Sequence, residues 1–120
     1  MINRRAFTLA AASGLLPLAG TGLQAPTLPK TVRILVGFPP GGSADLLARA
    51  LAQHLTGYGA QVIVDNKPGA GGRIALEQLK NADADGSVLA VTPASMMVVY
   101  PHIYRQLSYQ PLKDFVPVAK

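Results

Sequence analysis

At 120 residues, 49% hydrophobic and 14% charged, the chain is too apolar for disorder and too short for more than one small domain. Its formal charge is +5, but the lysines and arginines are scattered and not interleaved with aromatics, which argues against a nucleic-acid surface. The absence of cysteine excludes disulfides, thiolate metal sites and a cysteine nucleophile.

The N-terminus is laid out as a secretory signal peptide. Arg4 and Arg5 provide a basic start, Phe7 to Leu18 is uncharged and apolar, and Leu23-Gln24-Ala25 offers a cleavage site. The apolar run falls short of the roughly 20 residues that span a bilayer, so no stable membrane insertion is expected. Arg4-Arg5-Ala6-Phe7 also resembles a twin-arginine signal, although Asn3 and Thr8 depart from that pattern. Cleavage after Ala25 leaves residues 26–120 as the mature part. Removing Arg4 and Arg5 then leaves nine basic residues against six acidic ones, a net charge of +3.

Thr31–Phe38 (TVRILVGF) is β-branched and almost wholly apolar, the signature of a strand buried on both faces. Pro39-Pro40-Gly41-Gly42 must then turn, because two prolines and two glycines cannot continue a strand. Ser43 is placed as the N-cap of a helix, with Asp45 in its first turn and Leu47, Leu51 and Leu55 as the apolar stripe. Gly57 and Gly59 end that helix. A second strand is expected at Gln61–Asp65, a turn at Asn66–Gly72, a helix at Arg73–Asn81 and a third strand at Ser87–Thr92. Ala94–Tyr100 is read as helical up to the interruption at Pro101, and Phe115–Ala119 as the start of a fourth strand. Strands and helices that alternate in this way make a parallel α/β sheet.

The glycine-rich turns carry the chemistry. Gly37–Ser43 has the glycine spacing of a phosphate-binding loop but lacks its lysine, since Ser43 follows Gly42 directly. Gly69-Ala70-Gly71-Gly72-Arg73-Ile74 begins like a dinucleotide fingerprint, with Ile74 where the third glycine belongs. What survives is more general. A strand that ends in Pro-Pro-Gly-Gly-Ser and feeds a helix points free N–H groups and a positive dipole at one spot, which suits a carboxylate. Thr92-Pro93-Ala94-Ser95, at the end of the third strand, would face the same crevice. Anion binding and plain turn chemistry both remain open at this point. His54, His102, Asp83 and Asp85 lack the spacing of a metal or catalytic set, so no catalytic residue, metal or cofactor is expected.

Taken in order, ILVGFPPGGSADLLARALAQHL, VIVDNKPGAGGRIALEQL, ADADGSVLAVTPAS and YPHIYRQLSYQPLKDFVPVAK resemble the Bordetella uptake gene (Bug) receptors, the substrate-binding components of tripartite tricarboxylate transporters. The resemblance implies an α/β fold like the first domain of a type II periplasmic binding protein, incomplete here because the second domain is absent. It implies a bacterial periplasmic receptor that captures a small carboxylic acid and passes it to the membrane components of such a transporter. The family's ligand loops correspond to Phe38–Ser43 and Thr92–Ser95. The ligand-binding residues expected on this basis are Phe38, Pro40, Gly41, Gly42, Ser43, Thr92, Ala94 and Ser95. The resemblance assigns no role to the turn Asn66–Gly72. Two rival readings are a non-functional remnant of such a receptor and an enzyme that uses the glycine-rich turn for a phosphorylated substrate. With one jaw of a two-jaw receptor, binding no tighter than about millimolar is expected.

Overall fold

The computed structural model describes residues 29–55, 57–58 and 61–119; the signal-peptide segment lies outside them. Three strands, β1 (Thr31–Val36), β2 (Gln61–Asn66) and β3 (Val88–Val91), form one parallel sheet in the order β2-β1-β3. Thr31 pairs with Gln61 and Val36 with Asn66 on one side of β1, and Arg33 pairs with Val88 on the other. The central strand is the most apolar of the three, and Val32, Ile34, Leu35 and Val36 are all buried.

Side-chain alternation along the strands sorts two layers. Ile34, Val36, Val62, Val64, Leu89 and Val91 face helix α1 (Ser43–His54) and pack on its Ala44, Ala48, Ala52 and on Leu55. Ala90, of opposite parity, faces helix α2 (Arg73–Lys80), where Leu76, Met96 and Tyr109 form the second core. The β1–β2 and β2–β3 connections move in opposite directions along the sheet. Right-handed crossovers therefore put their helices on opposite faces. The short helices α3 (Ser95–Val98), α4 (Tyr100–Ile103) and α5 (Pro111–Asp114) follow β3.

Four expectations need correcting. First, of the leucine stripe on α1 only Leu55, past the helix end, packs into the core: Leu47 and Leu51, and Leu46 beside them, are 54%, 40% and 61% exposed. The helix instead lies close to the sheet on the small residues of the parallel series Ala44, Ala48 and Ala52. Second, Ser43 does not cap α1. Gly42 is the cap residue, no side chain caps the helix, and Ser43 is an exposed first-turn residue. Third, Pro101 opens α4 instead of only ending a helix, because its fixed φ and missing N–H suit a first turn. Fourth, residues 115–119 form no strand. Pro117 removes a ladder donor, and Val116 and Val118 stand 87% and 83% exposed.

A candidate carboxylate site at the strand ends

The loop after β1 and the loop after β3 leave neighbouring strand ends toward opposite faces of the sheet. This is the switch point at which open α/β sheets form their ligand crevices. A depression of about 360 Å³ lies there, lined by Phe38, Pro39, Pro40, Gly42, Ser43, Ala44 and Pro93. Its walls are three prolines, an aromatic ring and an alanine methyl. Its floor is the start of α1.

The polar groups of the floor are backbone donors. The first bond of α1 runs from Leu46 N–H to the Gly42 carbonyl at 2.9 Å. The N–H groups of Gly42, Ser43, Ala44 and Asp45 come before it and have no intrahelical partner, and the first three belong to residues that line the depression. Together with the exposed Ser43 hydroxyl they form a donor set at the positive end of a three-turn helix, suited to a carboxylate. Gly41 has φ +88, a left-handed conformation that turns the chain into the helix and favours glycine.

Of the residues expected from sequence, Phe38, Pro40, Gly42 and Ser43 line the depression. Gly41 does not, and its N–H is already engaged, donating to Asp45 Oδ2 at 2.8 Å. Thr92, Ala94 and Ser95 do not line it either; from that loop only Pro93 does. The Thr92 hydroxyl donates to Met96 Sδ at 2.8 Å, while Ala94 and Ser95 are exposed at the start of α3.

Sequence reasoning missed the support beneath the loop. Asp45 is 2% exposed, and its carboxylate takes bonds from Gly41 N–H, Arg49 Nε at 2.9 Å and Asn66 Nδ2 at 2.9 Å. The Arg49 guanidinium, then the Gly41 N–H and the Asn66 amide, hold that carboxyl at about 2, below its ordinary 3.8. Asn66 also donates to the Phe38 carbonyl at 3.1 Å. The sequence signals for this set were slight: opposite charges four apart on α1, Asp45 and Arg49, and an asparagine opening the turn after the second strand.

The turn after Asn66 has a structural task. Its 3-10 turn, Ala70–Gly72, brings the Gly72 backbone against Gly37 at the end of β1. On its other side Met96 and the Phe38 ring fill the space that a Gly72 Cβ would need. Among the described residues no three His, Cys, Asp or Glu side chains gather to hold a metal, and no helix is long and apolar enough to cross a membrane.

Comparison with known proteins follows the same lines. The family model for the tripartite tricarboxylate transporter family receptor matches residues 46–120. A UPF0065 protein of Bordetella bronchiseptica is 37% identical over 99% of this chain and 36% of its own length. Protein BugT of Bordetella pertussis is 36% identical over 85% of this chain and 33% of its own. The chain thus spans about a third of the length of these curated relatives. Among solved structures, the periplasmic binding protein BugD superposes with a TM-score of 0.66 at 34% identity, covering 75% of this chain and 29% of that one. R. palustris Rpa4515 with adipate superposes with a TM-score of 0.63 at 30% identity, covering 68% and 28%. The chain belongs to the tripartite tricarboxylate transporter receptors, the Bug family, whose members are binding receptors and not enzymes.

Proposed function

We propose that this chain carries the first-domain part of an exported receptor, in which the loop Phe38–Ser43 captures one carboxylate of a small organic acid. The carrying observation is that Gly42, Ser43 and Ala44, at the start of α1 and ahead of its first helical bond, line a depression whose other lining residues are apolar. Such a site takes an anionic head on the helix dipole and lays a short hydrocarbon body against Phe38, Pro39, Pro40 and Pro93. Adipate, present with one structural relative, has that shape: two carboxylates on a four-carbon chain. On this reading Thr92, Ala94 and Ser95 serve the second edge of the crevice, in the loop that contributes Pro93.

Family membership supports the wider setting. Residues 1–25 direct export to the periplasm, and residues 26–120 are the N-terminal part of the binding fold. The loaded receptor delivers its acid to the membrane components of a tripartite tricarboxylate transporter. The site does not hydrolyse or transfer anything: the acid beside it, Asp45, lies beneath the loop and is occupied by three donors.

Calorimetric titration of the chain with adipate, succinate, benzoate and inorganic phosphate tests this. Saturable heat is expected with the carboxylates at about millimolar, near 4 kcal/mol, and weaker heat with phosphate. A preference for phosphate, or no response to any carboxylate, contradicts the reading.

A further inference from the structure

Asp45 is a charged side chain packed almost out of solvent beneath the candidate ligand loop. Burying a carboxylate is costly unless hydrogen bonds and a counter-charge compensate it. Here both are present. Oδ2 receives Gly41 N–H and Arg49 Nε, and Oδ1 receives Asn66 Nδ2. Arg49 cancels the charge, so Asp45 neither attracts nor strongly repels an anion above it. What it contributes is geometry.

Two consequences follow from the bonding pattern. Gly41 N–H points inward to Asp45, so it is withdrawn from any ligand and the donors left to the loop lie at the start of α1. The Asn66 amide gives one bond to Phe38 O, at the entrance of the loop, and one to Asp45, at its exit. The last residue of β2 therefore braces both ends of the loop that follows β1. Arg49 Nη2 closes the ring by donating to Asn66 Oδ1 at 3.5 Å.

We propose that Asp45 is the positioning residue of the ligand loop: with Asn66 it turns Gly41 inward and fixes Gly42, Ser43 and Ala44 as the outward donor set. The assignment rests on the carboxylate reading above for its role in binding, and on the bond pattern alone for its role in loop geometry. The loop is built from two prolines and two glycines, and no side chain caps the helix start, so Asp45 and Asn66 supply the side-chain bonds that hold it.

The test uses the 15N-labelled chain as wild type, Asp45→Asn, Asn66→Ala and Val62→Ala. Val62→Ala removes apolar contact at the opposite end of β2 and serves as a stability control, measured with the others by thermal melting. At a temperature where all are folded, the Gly41 amide proton of Asp45→Asn should move upfield, and Gly42, Ser43 and Ala44 should shift with it. Adipate affinity should fall about tenfold or more in Asp45→Asn and Asn66→Ala, the scale set by losing a hydrogen bond to a charged group. Val62→Ala should keep wild-type loop resonances and an affinity within about twofold, as expected of a distant site. Unmoved loop resonances in Asp45→Asn, or unchanged adipate affinity once Gly41 has moved, overturn the proposal. If the wild type binds none of adipate, succinate and benzoate, the carboxylate reading fails. The amide shifts of Gly42, Ser43 and Ala44 then decide the positioning claim by themselves. If Asp45→Asn does not fold, Asn66→Ala carries the same comparison.

Discussion

Gly37 and Gly72 meet backbone to backbone: a Cβ placed on Gly37 would stand 2.6 Å from Gly72 Cα and 2.7 Å from Gly72 O. This contact joins the end of the central strand to the turn that opens α2. It is also the physical reason for the last glycine of the Asn66–Gly72 segment. Gly72 can approach because it has no side chain and holds φ +88, while Met96 and Phe38 fill its other side.

Gly37→Ala should therefore destabilise the fold. The added methyl meets rigid backbone, not the end of a flexible side chain, and overpacking of that kind costs about 1–3 kcal/mol. Urea titration followed by circular dichroism measures it. An unchanged midpoint would mean that the two strand-end loops do not touch as described.

Ser43→Ala separates the binding role from a capping role. A capping serine costs about 0.5–2 kcal/mol when removed. Ser43 makes no capping bond and is exposed, so its loss should change stability by no more than about 0.5 kcal/mol. On the proposed reading adipate affinity should still fall, because the hydroxyl of Ser43, which lines the depression, is offered to the carboxylate. A large stability loss with intact affinity would return Ser43 to the cap.

Much of this fold was legible because its signals are local. β-Branched runs marked the three strands, and Pro-Pro-Gly-Gly and Pro-Gly-Ala-Gly-Gly marked the turns between them. The buried face of α1 was not legible, since two series share the helical period. Ala44, Ala48 and Ala52 compete with Leu47 and Leu51, and hydrophobicity alone selects the leucines. A helix lying close on a sheet selects the small residues, a tertiary preference that periodicity does not carry. The site was half legible for the same reason. Phe38, Pro40, Gly42 and Ser43 follow from the turn itself. The Asp45–Asn66 bond joins residues 21 apart and depends on the β1–β2 register.

Acid should weaken the chain partly through Asp45. Its folded-state carboxyl, held near 2 by Arg49, Gly41 and Asn66, lies below the ordinary 3.8. The ionised form is thus favoured in the fold. That contribution is full above the unfolded value and is lost as pH falls through the folded one. Asp65, lowered chiefly by Arg33, and Asp114, lowered chiefly by the Gln110 N–H, act in the same direction. Asp45→Asn isolates the first of these. The stability difference between wild type and variant should be largest near neutral pH and shrink steadily on acidification from about 4 toward about 2. A difference independent of pH would mean that the Asp45 carboxylate is not held as described.

The central claim is that a small carboxylate sits on the start of α1, between the loops that follow β1 and β3. Titrating adipate into the 15N-labelled chain and following every backbone amide tests it most directly. The account predicts saturable shifts concentrated on Gly42, Ser43 and Ala44, with smaller ones at Ala94 and Ser95 and a midpoint at about millimolar concentration. Shifts absent from Gly42–Ala44, or spread over the exposed lysines and arginines without saturating, would contradict it.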